Sequence, residues 1–156
     1  VAHQLEVLFV TPGAALGVFG LVIIAIISGQ DRPEDAERAV EEIRKLRRST
    51  HTKELHYVYV VTEHASMPGA KTRQIAAALP TLTDSFTGVH EGEGFRASVV
   101  RAVVTGIGMV TGSMPAVTTT TREAAAKLAA MHPNVGPAEE LRIAIDKLRR
   151  ASLADR

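Results

Sequence analysis

The reading of Ala14-Ala15-Leu16-Gly17-Val18-Phe19-Gly20-Leu21-Val22-Ile23-Ile24-Ala25-Ile26-Ile27 decides the fold of this chain, because the stretch carries no charge and no strong polar group. As a helix it falls short of the roughly 20 apolar residues needed to cross a bilayer. Val18, Val22, Ile23, Ile24, Ile26 and Ile27 are β-branched, and Gly17 and Gly20 lower helix propensity further. No Lys or Arg precedes the stretch and no small-residue cleavage pattern follows it, so the marks of a signal peptide are missing. It reads as a buried strand, with no membrane partner and the cytoplasm as the expected location.

The whole chain agrees with that reading. Its 156 residues suit one domain with a continuous core, and its hydrophobic 46% is carried by Ala, Val, Ile and Leu, the palette of a sheet covered by helices. The absence of Cys excludes a disulfide scaffold, a thiolate zinc site and a Cys nucleophile. Lys and Arg number 18 against 17 for Asp and Glu, a net charge of +1 that gives no reason to expect a polyanionic partner.

Working outward, Gln4 to Val10 reads as a first strand, Thr11-Pro12-Gly13 as a turn, and the apolar stretch as the return of a β-hairpin through Leu21 to Ile27. Asp31 with Glu34 predicts a capping box for a helix whose apolar stripe is Ala36, Val40, Ile43 and Leu46. A strand over Leu55 to Val61, a helix over Gly69 to Leu79 stopped near Pro80, and a strand over Ser85 to His90 follow. A Val-rich helix over Phe95 to Val110, a short strand over Ala116 to Thr119 and a helix capped by Thr120 and Glu123 come next. An amphipathic helix from about Pro137 to Ala151 closes the chain. Residues 1–132 thus form an α/β domain with a mixed, mainly parallel sheet and an N-terminal hairpin, and 133–156 form its C-terminal helical extension. That last helix would pack on its own domain or on a second copy in a homodimer.

In such a sheet the ligand-competent rim is where strands end and helices begin. Three segments reach it: Ser28 to Asp31, Glu63 to Ser66, and His90 to Glu93. Glu63, His64, His90 and Glu91 therefore make a candidate ligand site, or an acid/base site if an enzyme is at work. The alternative is that these polar residues only populate loops and cap helices. No HExxH spacing, phosphate-binding glycine loop or Gly-x-Ser-x-Gly elbow occurs, so neither a metal, nor a cofactor, nor a catalytic residue is expected. The basic clusters Arg44 to Arg48 and Lys147 to Arg150 close helices, where the dipole favours cations, and lack stacking aromatics, so nucleic acid is not an expected partner.

The order of elements resembles the STAS-like proteins, named for sulfate transporters and anti-sigma-factor antagonists, and in particular bacterial single-domain members. The resemblance covers about Leu5 to Met131 and rests on a hairpin, the strand end Ile27-Ser28-Gly29, the strand YVYVV, a strand ending VHEGEGF, RASVVRAVVTGI and TREAAAKLAAM. It implies a four- or five-stranded sheet with helices largely on one face, and a regulatory module that binds a protein partner or small ligand without catalysis. In antagonists of that group a Ser or Thr before the second helix is phosphorylated. Ser66 aligns in position, so Ser66, Met67, Lys71 and Arg73 are the implied partner-binding or regulatory residues, although the Asp-Ser pattern before that helix is missing.

Overall fold

Both sides of the central strands are apolar, and that sets the architecture. The computed structural model describes residues 3–50, 54–92 and 116–154. It contains strands β1 Leu5–Val10, β2 Ala14–Phe19, β3 Val22–Ile27, β4 His56–Val61, β5 Ser85–His90 and β6 Ala116–Thr118. Its helices are α1 Pro33–Thr50, α2 Ala70–Ala76, α3 Leu79–Leu82, α4 Thr121–Met131 and α5 Ala138–Ala154, with a 3₁₀ turn at Pro133–Val135. The six strands lie in the order of the sequence, antiparallel through β1–β2–β3 and parallel through β3–β4–β5–β6.

The apolar stretch is thus two strands rather than one. Gly20 adopts φ +59, the left-handed conformation that tight hairpin turns demand, and the chain doubles back so that Phe19 faces Val22. The hairpin of the sequence reading becomes a three-stranded meander, and among the described residues the sheet has six strands instead of the four or five implied by the resemblance.

Helices cover both faces, which corrects the expectation that they lie largely on one. On one side Leu16, Ile23, Ala25 and Tyr57 pack with Val40 and Ile43 of α1 and Leu79 of α3. On the other, Ala15, Phe19, Ile24, Ile26, Val58 and Val60 pack with Leu128 of α4 and Leu141, Ile145 and Leu148 of α5. Successive β3 residues alternate between these two cores, which is why the strand reads as an unbroken apolar run. The last helix packs in cis, against β1, β2 and β3.

Two local readings change. Pro80 does not stop a helix but sits in the first turn of the short helix α3, where its missing N–H is one left unbonded in any case. Asp31 does not cap α1, for reasons that belong to the site. Thr120 does cap α4, its hydroxyl accepting from Glu123 N at 3.1 Å. The expected Val-rich helix over Phe95 to Val110 lies outside the described residues. Among those that are described, no helix is long and apolar enough to cross a membrane.

Candidate functional site

The carboxyl ends of β1, β3, β4 and β5 form one rim, and backbone bonds tie its loops together. Gly13 O accepts from Ser28 N at 2.9 Å and from Gly29 N at 3.2 Å, and Gly29 O accepts from Ser66 N at 2.9 Å. Asp31 is the hub. Its N–H donates to Ser66 Oγ at 2.6 Å, its Oδ2 accepts from Gly69 N at 2.8 Å, and its Oδ1 accepts from Thr72 Oγ1 at 2.6 Å. The carboxylate therefore serves the first turn of α2, which has no acidic residue of its own, instead of α1. The capping pattern at Asp31 and Glu34 is real as sequence, but a neighbouring helix claims the side chain.

The two residue sets anticipated at the rim fall on opposite faces of the sheet. On the α1–α3 side lies a cavity of about 90 Å³, walled by Tyr57, Tyr59, Phe86 and the small side chains Ala25, Ala36, Ala39 and Ala76. Its mouth is polar, formed by Asp31, Arg32, Asp35, Ser66, Thr72 and Arg73. Burial raises the Tyr57 phenol, and burial with the nearby Asp31 charge pushes Tyr59 up to about 12. Of the implied regulatory residues, Ser66 and Arg73 reach this mouth. Met67 packs against the small cluster of Val61 and Ala65, and Lys71 is exposed on α2. Ser66 Oγ is already the acceptor for Asp31 N.

On the α5 side a shallower concavity of about 390 Å³ gathers Thr62, Glu63, His64, Glu91, Arg149 and Ser152. Three of the four anticipated ligand residues meet there. His90 does not line it; it is buried at 6% exposure at the end of β5. Glu91 is gripped by Arg149, with Nη1 to Oε1 at 2.6 Å and Nη2 to Oε2 at 3.0 Å, so both carboxylate oxygens are engaged in a bidentate ion pair. His64 stands out from the surface and pairs with its neighbour Glu63 at 3.3 Å. This arrangement holds loops and helix together; it does not aim an acid and a base at a common reacting atom.

A third cluster sits at the other end of β4 and has no counterpart in the sequence reading. His56 is fully buried. Its Nδ1 lies 2.7 Å from Ser85 Oγ and its Nε2 lies 3.1 Å from Glu54 Oε2. The His132 ring, just past α4, packs on it with centroids 4.2 Å apart and planes inclined by 35°. Burial lowers the His56 imidazole below its ordinary value, against the pull of Glu54, which raises it. Glu54, His56 and His132 each turn one ligand atom to within 4.8 Å of the other two.

No family model, curated protein or solved structure matches the chain.

Proposed function

We propose that this chain is a non-catalytic regulatory or protein-interaction module of STAS-like type. In this reading a small amphiphilic molecule enters between α1 and α2, and the segment from Ser66 to Arg73 presents its presence to a protein partner. The observation that carries the reading is the Asp31 hub. One residue at the cavity mouth fastens Ser66, Gly69 and Thr72, so whatever occupies the cavity meets the latch of the partner-facing segment. The aromatic and alanine walls suit a small ring or short chain, and the charged mouth suits a polar end. The Glu91–Arg149 fork on the opposite face supports binding over catalysis, because the carboxylate best placed to move a proton is already committed.

The test uses indole as a probe and backbone amide spectra of the full chain. Binding at millimolar indole shifts resonances of the cavity wall and of Ser66 to Arg73 together, and Ala39→Leu, which fills the cavity, abolishes both sets while leaving the fold intact. Shifts confined to the exposed surface, or unchanged in Ala39→Leu, refute the reading.

A further inference from the structure

We infer that Glu54, His56 and His132 bind one divalent transition-metal ion of the zinc class. Two imidazoles and a carboxylate are a donor set that zinc uses in three-ligand sites, with remaining positions left to solvent. The site stands apart from the rim, at the amino end of β4, so it does not depend on the function proposed above.

Three features build it. First, His56 is a fixed ligand. It is fully buried on β4 directly opposite Ser85, whose hydroxyl meets Nδ1 at 2.7 Å and leaves Nε2 to face Glu54. A hydrogen bond to the second ring nitrogen is the usual means of orienting a metal-bound histidine. Second, the other two ligands are adjustable. His132 and Glu54 are half-buried residues flanking regular elements, and zinc bonds of about 2.0–2.1 Å require the donor atoms to close from within 4.8 Å to roughly 3.3 Å, a side-chain rotation. Third, the position of His132 is set by α4, which it follows directly with its N–H bonded to Leu128 O at 2.8 Å, and its ring stands 4.2 Å from that of His56.

Without metal, the neutral imidazole donates from Nε2 to Glu54 and accepts at Nδ1 from the Ser85 hydroxyl. On binding, the ring proton resides on Nδ1 and donates to Ser85 Oγ, Nε2 gives its lone pair to the metal, and Glu54 exchanges its hydrogen bond for a metal–oxygen bond. No proton leaves His56 overall, since one tautomer replaces the other.

The full chain, freed of metal with a chelator, is titrated with Zn²⁺ against a chromophoric competitor and with Co²⁺ followed by visible absorption. One equivalent binds at micromolar concentration, and Co²⁺ gives the intense absorption of a low-coordinate N/O site. His132→Ala and Glu54→Gln each weaken binding by about tenfold or more, Ser85→Ala weakens it by about 10–100-fold through the lost orienting bond, and His64→Ala leaves it unchanged. Failure to bind at micromolar Zn²⁺, or affinity in Glu54→Gln and His132→Ala within about twofold of the parent, overturns the proposal. Circular dichroism of each variant verifies the fold. Because Glu54 is partly exposed, Glu54→Gln alone decides the matter if His132→Ala unfolds.

Discussion

Leu148 of α5 and Gly17 of β2 meet across the core, and the pair tests whether the last helix covers its own sheet. Leu148 is fully buried, and a Cβ placed on Gly17 would stand 3.3 Å from Leu148 Cδ1, 3.0 Å from Leu5 Cδ1 and 3.1 Å from Glu6 O. Leu148→Ala removes three buried carbons and leaves a partly collapsed cavity, a change that costs about 2–5 kcal/mol. In a chain of this length that loss lowers the melting temperature by roughly 2–4 °C per kcal/mol. Gly17→Ala alone crowds two leucine methyl groups and a backbone carbonyl, at about 1–3 kcal/mol. In the Leu148→Ala background one of those three contacts is gone and the new methyl group fills part of the void. The double variant is therefore more stable than the sum of the single losses, by about 1 kcal/mol. Urea unfolding of all four proteins at two concentrations measures it. Additivity within about 0.3 kcal/mol, or a loss below about 1 kcal/mol for Leu148→Ala, would refute direct packing of β2 on α5. A midpoint that moves with protein concentration would place the helix on a neighbouring copy instead.

Two further expectations concern the ends of the sheet. Burial pushes the Asp84 carboxyl up, but hydrogen bonds from the Arg47 guanidinium and Leu55 N outweigh it and hold the group below its ordinary 3.8. A depressed carboxyl contributes stability that is present above the unfolded value and lost as pH falls through the folded one. Asp84→Asn is thus less stable than the parent at neutral pH, by about 1 kcal/mol or less for so exposed a pair, and the stabilities of the two proteins converge as pH falls below the ordinary carboxylate range. At the rim, Gly29→Ala places a Cβ 2.8 Å from Pro12 O and 2.9 Å from Gly13 Cα, both backbone atoms of the β1–β2 turn. Thermal unfolding shows a loss of about 1–3 kcal/mol, and a change within about 0.5 kcal/mol would mean that the turn yields freely.

The sheet was legible where a residue's neighbours along the chain decide its state. The β-branched run of Val22 to Ile27 and the run of His56 to Val61 declare themselves as strands, and Ser85–His90 falls at its expected bounds. The turn at Gly20 was harder to read. Leu21 carries no turn signal, and two glycines in one apolar run leave the fold-back point open. Helices on both faces follow from the unbroken apolarity of β3, a signal present in the sequence but overridden by family likeness. The rim segments were placed correctly, yet their division between two faces depends on strand pairing and on α5. His56 was hidden inside a strand pattern. Glu54 lies two residues before it, but His132 is far along the chain, so no spacing motif announces a cluster that only the packing of α4 beside β4 creates.

The sequential strand order bears on how the chain is made. Among the described residues each strand after the first pairs with the strand before it, so the sheet can be extended in step with the ribosome, at about 5–20 residues per second. One of its faces cannot be closed on that schedule. Ala15, Phe19, Ile24 and Ile26 wait for Leu141, Ile145 and Leu148, which emerge after β6 and α4. A nascent chain halted before Ala138 therefore carries a paired sheet with that side covered by α4 but not by α5, a substrate for chaperones and for aggregation alike. The arrival of α5 completes the cover of that face.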